Sequence, residues 1–389
     1  MAISKKSQKV FRLVPTGAVR KNGFCAWRFF FSGVENTTGI ERRFFVEFIM
    51  LNPAVAPDEP VLGFKNRTSI KAEDLQNVLA GTISAQKLQS EEIAVPSYIC
   101  VKAGQLGAGA KEVCAYTSLS QTVIHSRPFE FSACGCSFSE EVLSGRIAVS
   151  PSDLQTHPEY MCDSGIINWD LRFDIRRDFA DGFTGKTLFW SPVGAQTAFS
   201  GTFTIDGKVY SVLPKKSFGY IDRFYGKAHD FPYVHLSSSN LTSIISGKTL
   251  QNSVFVIQGV YNDRISLVVN LEGSEVVFQA QKGRRSFESH WDFSQMPENG
   301  DQEKLHWTVS VHNSKYVVDI DVFCPAQLMF VRSAELPEGQ RHTIKKLVGG
   351  TGTGEIRLYK KIHRNLELIE HAQISTALCE FGQKEEAEL

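Results

Sequence analysis

The sequence predicts an all-β protein of more than one domain, and three observations carry that reading. Short runs alternating apolar and polar residues recur along the chain, as half-buried strands require. Tight-turn chemistry separates several of them, as in Ile205-Asp-Gly-Lys208 and Tyr261-Asn-Asp-Arg264, where short polar residues and glycine accept the turn backbone. Helical periodicity is scarce. A series of short strands with regular turns argues for barrels or sandwiches, not a doubly wound α/β fold. The 389 residues exceed the roughly 100–200 of a usual domain, so two domains are expected.

In order, Phe24–Gly33 and Arg42–Leu51 are dense in aromatic and branched residues around a charged, glycine-containing turn, which reads as a hairpin. Strands are next expected at Ser97–Lys102, Glu112–Ser118, Phe129–Ala133, Arg146–Ser150, Ile166–Ile175, Ala198–Ile205 and Lys208–Leu213. The second half offers Val254–Tyr261, Ile265–Leu271, Glu275–Ala280, His306–Val311, Tyr316–Val322 and Glu355–Lys360. Ser69 and Glu73 have capping-box spacing ahead of Asp74–Ala80, where a short helix is expected. Asn365–Phe381 fits helix or strand, and the acidic tail Gln383–Leu389 is expected to fray.

Composition excludes some functions. The 42 basic residues balance 42 acidic ones, leaving none of the net positive field that nucleic-acid binding needs. No apolar run reaches the ~20 residues of a membrane-spanning helix, and no apolar segment follows Met1 as in an export signal. A cytoplasmic protein is expected, with no integral membrane segment. The eight cysteines are scattered; only Cys134-Gly-Cys136 is close-spaced, so buried thiols are expected, not a metal site or disulfides. The 28 Phe against 5 Trp and 5 Met fit either an aromatic-lined cavity or a core built from Phe.

Two glycine clusters, Gly104–Gly109 and Gly349–Gly354, run into strand patterns instead of helices. A phosphate loop needs free helix amides directly after its glycines, so both read as loops needing positive φ. No Gly-x-Ser-x-Gly elbow, HxxxH pair or calcium-loop pattern occurs.

The chemistry-bearing stretch is Ser217–Leu241, which packs Tyr220, Asp222, Arg223, Tyr225, His229, Asp230, Tyr233 and His235 closely together. That density is poor material for a plain strand and good material for a pocket wall. Tyr220 and Asp222, two apart on a strand, would face one side together. Asp222 reads either as a catalytic acid or as a carboxylate paired with Arg223 or closing a turn. In Ile167–Asp174 the alternation sets Asp170, Arg172 and Asp174 opposite Trp169, Leu171 and Phe173: a solvated ion-pair face, or Asp170 at the pocket. Trp27, with Phe29 and Phe31, reads as core or as an aromatic wall. His157 reads as a loop residue. His290-Trp-Asp292 and His306-Trp307 lie in the second half and suggest no catalytic geometry.

Pro96-Ser-Tyr-Ile, His157-Pro-Glu-Tyr-Met-Cys-Asp163, Ile167-Asn-Trp-Asp-Leu171, Trp190, Gly219-Tyr-Ile-Asp222 and Leu236-Ser-Ser-Ser-Asn-Leu241 occur in one order. That order resembles the bacterial tocopherol cyclase-like proteins, grouped with carotenoid 1,2-hydratases and lipocalin-type Diels–Alderases, over roughly Gly23 to Tyr359. The resemblance implies two lipocalin-like β-barrel or sandwich domains with few helices, divided as 1–245 and 246–389, and an apolar pocket in or beside the first. It also implies cofactor-free chemistry on isoprenoid- or polyketide-like molecules. The Tyr220-x-Asp222 pair is similar to the hydratase motif whose carboxyl protonates a double bond. Phe224-Tyr225 replace the family's Asn-Trp, Tyr233 and His235 replace two Trp, and Phe189 stands where the hydratases carry His.

The resulting expectation is an acid-catalysed cyclase, isomerase or hydratase without cofactor, acting on a hydrophobic unsaturated molecule. Asp222 would be the acid, Tyr220 its partner and His229 or His235 the base. Trp190, Trp27, Tyr225, Tyr233, Asp170 and Arg223 would bind substrate. The rival is a non-catalytic lipid or isoprenoid carrier. Exposed sheet edges are compatible with a homodimer.

Overall fold

The computed structural model describes residues 4–62, 72–82, 84, 95–180, 182–214, 218–261, 263–278, 288–297, 303–339 and 342–386; for 72–75, 218, 288–297, 303 and 386 it describes the backbone only. The all-β expectation holds, with the strands gathered into two antiparallel sheets.

The first sheet has 13 strands. They are β1 (Phe24–Glu35), β2 (Glu41–Leu51), β3 (Tyr98–Leu106), β4 (Lys111–Thr117), β5 (Val123–Ser126), β6 (Phe129–Ala133), β7 (Cys136–Phe138), β8 (Val142–Val149), β9 (Gly165–Arg177), β10 (Phe183–Thr184), β11 (Leu188–Ile205), β12 (Lys208–Val212) and β13 (Phe218–Gly226). The second sheet has 10 strands. They are β14 (Tyr233–Ser243), β15 (Val254–Val260), β16 (Ile265–Leu271), β17 (Ser274–Phe278), β18 (Glu288–Pro297), β19 (Glu303–His312), β20 (Tyr316–Pro325), β21 (Phe330–Glu335), β22 (His342–Ile362) and β23 (Asn365–Glu386). The chain passes from one sheet to the other across 227–232. The described helices are short: α1 (Lys5–Phe11), α2 (Ala18–Lys21), α3 (Ala72–Leu79) and α4 (Pro151–Thr156).

Several local expectations change. The helix expected at Asp74–Ala80 is α3, while its proposed cap Ser69 lies outside the described residues. Asn365–Phe381 is strand, and Gln383–Glu386 of the tail continues β23 alongside β22. Ser217–Leu241, dense as it is in polar side chains, still forms most of two strands. Gly349–Gly354 is no loop but part of β22: a Cβ at Gly354 would lie 1.9 Å from the Asp321 carbonyl, and one at Gly349 2.3 Å from Met329 Sδ. Gly104–Gly109 does include the expected positive φ, at Gly107 and Gly109.

The inside of the first sheet is filled. Trp27, Phe29, Phe31, Phe44, Phe48 and Phe138 belong to one buried cluster, with rings edge-on or tilted at centroid distances such as 4.7 Å for Phe48–Phe138. Phenylalanine here is packing material, forming a closed aromatic cluster among the described residues. A second cluster, containing Phe255, Leu267, Trp307 and Ile356, fills the other sheet.

What sets the fold apart is β1. Residues 24–33 are all buried, on both faces, because one side looks into the Phe core and the other meets the second sheet. Phe24 and Ala26 join one inter-sheet cluster, and Phe30, Phe45 and Tyr220 another. Between those two clusters lies the site described next.

The close approaches along β22 make a clear expectation. Gly354→Ala forces β20 away from β22 and should lower stability by about 1–3 kcal/mol, measured by urea denaturation. A neutral result would show that the strands part without penalty.

Candidate functional site

Register across the first sheet places charges in a row. Asp222 on β13 lies opposite Arg28 on β1, Arg28 opposite Glu47 on β2, and Glu47 opposite Lys102 on β3. The signs alternate. Neighbouring charges therefore attract across the strands. Lys102 Nζ extends the row by donating to Glu112 on β4 at 2.8 Å.

The second sheet completes the row from above. Arg28 gives Nε and Nη2 to the two Asp222 oxygens at 2.8 and 2.5 Å, and Nη1 to both Glu380 oxygens at 2.8 Å. Arg332 gives Nη1 and Nη2 to Glu47 at 2.9 Å each, and Nε to Glu112. Forked guanidinium–carboxylate contacts are the pairing that makes burial of charge tolerable. Burial alone would raise the Glu47 carboxyl, but Arg332, Lys346 and Arg28 overcome it and hold it well below the ordinary range.

Aromatic groups pack around this row. Trp190 on β11 donates its indole N–H to Asp222 Oδ2 at 2.8 Å. The Arg28 guanidinium lies 5.2 Å from the Trp190 ring and 5.0 Å from Phe224, within cation–π range. The Gln258 amide takes the orientation in which its oxygen accepts from the Tyr220 hydroxyl and Trp190 indole, both 2.8 Å, and its nitrogen donates to the Trp190 carbonyl at 3.1 Å. His235 on β14 stacks on Trp190 at 5.2 Å and meets Tyr220 at 5.0 Å. Its Nε2 pairs with Ser237 Oγ at 3.0 Å. Burial, aided by Arg28 and opposed by Asp222, lowers its pKa to about 3, so the ring is neutral.

Beside the row opens a narrow cleft lined by Arg28, Leu188, Trp190, Phe224, His229, Tyr233 and Lys346. The His229 ring is fixed by stacking on Phe24 at 4.1 Å. Tyr233 stands edge-on to Trp190 at 5.6 Å and lies over Gly382, where a Cβ would come within 2.0 Å of its ring. Two polar groups at this cleft have no hydrogen-bonded side-chain partner among the described residues. The Tyr233 hydroxyl is buried without a hydrogen-bond partner. Lys346, 6% exposed, has its Nζ over the Phe224 ring at 5.7 Å. Glu47 and Glu380 attract it through space, while their oxygens accept hydrogen bonds from Arg332 and Arg28. Burial, partly countered by Glu47 and deepened by Arg28 and Arg332, lowers the Lys346 amine to about 8. Burial, with Lys346 and Arg28 adding to it, keeps His229 neutral, while burial keeps the Tyr233 phenol protonated. A second cavity of about 430 Å³ lies past Tyr220, among Arg43, Ser237, Ser238, Ser239 and Thr376.

The structure therefore gathers some expected residues and separates others. Tyr220, Asp222, Trp190, Tyr233, His229 and His235 all lie between the sheets. Trp27 is core, its indole donating to the Phe11 carbonyl at 2.8 Å. Arg223 faces the Phe core and lies 3.8 Å from the Trp27 ring, where Nη1 donates to the Ala26 carbonyl at 2.8 Å. It does not pair with Asp222, which points the other way. Tyr225 packs on Phe189 at 5.1 Å. Asp170 is exposed, as are Arg172 and Asp174. His306 stacks on Phe323 at 4.1 Å and pairs with Asp321 Oδ1 at 3.1 Å. The side chains of His290, Trp291 and Asp292 lie outside the described residues. All eight cysteines are unpaired, six of them buried. Among the described residues no helix is long and apolar enough to cross a membrane.

Sequence reasoning missed Arg28, Glu47, Glu112, Arg332, Lys346 and Glu380. A signal existed for some: Arg28, Glu47 and Glu380 are lone charges inside the apolar runs Trp27–Phe31, Phe44–Met50 and Ala377–Phe381. Such a charge is seldom fully buried without a partner.

No protein-family model and no curated protein matches this sequence. Among solved structures, a protein from Nitrosomonas europaea described as a candidate AttH is similar at 10% identity and a TM-score of 0.44, covering 92% of this chain and 91% of that one. Kievitone hydratase from Nectria haematococca is similar at 10% identity and a TM-score of 0.38, covering 92% and 88%. These values describe a loose likeness of β architecture and not of sites.

Two expectations follow. Arg28→Met strands two buried carboxylates and should cost about 3–5 kcal/mol, whereas Asp222→Asn, which leaves Arg28 paired with Glu380, should cost less; chemical denaturation of both checks the order. For His235, the unfolded imidazole (near 6.5) binds a proton that the folded one refuses until about pH 3. Stability is thus intact above 6.5 and falls as pH drops from there towards 3, by on the order of 3 kcal/mol at pH 4. His235→Phe should flatten this acid limb, and an unchanged limb would assign the loss to other groups.

Proposed function

We propose that this protein is a non-redox enzyme of the lyase or isomerase type acting on a small hydrophobic molecule held in the inter-sheet cleft. The observation that carries the reading is the cleft lining: aromatic walls with a proton-bearing phenol, Tyr233, and an amine, Lys346, neither of them hydrogen-bonded to another side chain among the described residues. A buried polar group without a partner costs stability, and a ligand oxygen would relieve both. Tyr233 is suited to donate a proton or hydrogen bond and neutral His229 to accept one, so the cleft has the donor and acceptor that double-bond migration, addition of water or its elimination needs.

Asp222 takes a different part from the acid that the motif resemblance implies. Protonating an alkene needs a carboxyl kept neutral, whereas this one accepts from Arg28 on both oxygens and from Trp190. Asp222 positions Trp190 and Arg28, and the chemistry belongs to groups on the open side. The cleft is narrow and walled by the Trp190, Phe224 and Tyr233 rings, which suits a flat, apolar group.

The same engagement of Asp222 favours a second reading, a carrier that binds without transforming. Native mass spectrometry of the protein purified from its host separates them. As an enzyme, wild type should release a product, while Tyr233→Phe retains unreacted molecule and turns over at least ten-fold more slowly. The same unchanged ligand in both would establish the carrier.

A further inference from the structure

We propose that Lys346 is a covalent site: its amine condenses with an aldehyde or ketone in the inter-sheet cleft to form an imine. The inference rests on the cleft being the ligand site and goes further by naming the substrate class as a carbonyl compound.

The geometry separates Lys346 from the other charges of the row. Lys102 is tied to Glu112, Arg28 to Asp222 and Glu380, and Arg332 to Glu47 and Glu112. Lys346 alone among these four has no hydrogen-bonded acid among the described residues, and it lines the cleft wall. A salt-bridged amine is protonated and has no lone pair; an amine in an apolar pocket beside other cations sheds its proton and becomes a nucleophile. The charged groups facing Lys346 set that balance: Arg28 on β1, Glu47 on β2, Arg332 on β21 and Glu380 on β23, with the neutral His229 ahead of β14 also on the cleft wall. With the amine at about 8, roughly one molecule in ten carries the free base at pH 7, against fewer than one in a thousand for an ordinary lysine near 10.5.

The step balances without an oxidant or reductant. The Lys346 lone pair bonds to the carbonyl carbon while the carbon–oxygen π pair moves to oxygen, which takes a proton. The resulting carbinolamine loses that oxygen as water and leaves a carbon–nitrogen double bond. Aldehyde and amine become imine and water. Tyr233, protonated and without a hydrogen-bond partner, is placed on the same cleft to donate to the oxygen as it leaves. The protonated imine then draws electrons from the neighbouring carbon, which is what proton removal, elimination or isomerisation at that carbon requires. Phe224, 5.7 Å from Nζ at its ring centroid, and Trp190 offer flat faces to the attached group.

The test uses the full-length protein with p-anisaldehyde and sodium cyanoborohydride at pH 7, followed by peptide mass mapping. p-Anisyl alcohol, with the same ring and no carbonyl, serves as the control ligand. The expected result is reductive alkylation at Lys346 at least ten-fold faster than at any other lysine, levelling off above about pH 8 while surface lysines accelerate towards pH 10. The alcohol should slow labelling and should quench tryptophan fluorescence in wild type but not in Trp190→Phe. Lys346→Arg, which keeps the charge without the nucleophile, should lose the fast label and keep the quench. Labelling spread over surface lysines with the alcohol quench retained would overturn the imine and leave the cleft as a binding site. Absence of both the label and the quench would overturn the cleft itself.

Discussion

The structure depends on charges buried between two sheets. The outer face of a β-barrel ordinarily meets water, yet here β1, β2, β3 and β13 turn Arg28, Glu47, Lys102 and Asp222 towards another protein layer. Those groups lose their water and regain hydrogen bonds from Arg332 and Glu380 above, from one another across the strands, and from Trp190 and Glu112 beside them. Apolar clusters on either side, around Phe24 and around Phe30, keep solvent out. Ionic row and apolar flanks constrain each other: an apolar contact alone tolerates sliding, whereas forked ion pairs fix one register.

The cleft follows from that row. One cation, Lys346, sits where the carboxylates of the row already accept from arginines, and one phenol, Tyr233, is pressed onto Gly382 without a partner for its hydroxyl. The surrounding structure leaves the Tyr233 hydroxyl unsatisfied and Lys346 without a hydrogen-bonded acid among the described residues while holding their positions. Sites that tolerate such groups are common places for binding and chemistry. The Phe-filled interior, with its rings interlocked around Phe138, offers no comparable vacancy.

The strands that alternate cleanly were legible from sequence: Phe129–Ala133 and Ile265–Leu271 appear with the expected bounds. Asp170, Arg172 and Asp174 lie on the solvent face that alternation indicates. β22 and β23 were harder to read because the glycines of Gly349–Gly354 resemble a loop and Asn365–Phe381 lacks a decisive period. Their strand character comes from pairing with each other and with partners far along the chain. Most of the aromatic and imidazole groups of the site were legible as a cluster, Tyr220 to His235, since they are close in sequence. The charged half was not. Arg28, Glu47, Lys346 and Glu380 are scattered from one end of the chain to the other, and only the stacking of the two sheets brings them together.

That scattering bears on how the chain is made. Arg28 is made long before its partners: Asp222 follows 194 residues later and Glu380 352 residues later. Until β23 is synthesised, the face of β1 that carries Phe24, Arg28 and Phe30 lacks part of its cover, although the Phe core behind it can already have closed. Contacts of such long sequence separation form late and slowly, and uncovered apolar strand faces invite association with other chains. Truncation near the C-terminus would therefore do more than shorten the second sheet. It would leave the first one finished on the inside and raw on the outside, a species that a cell would treat as a client for chaperones.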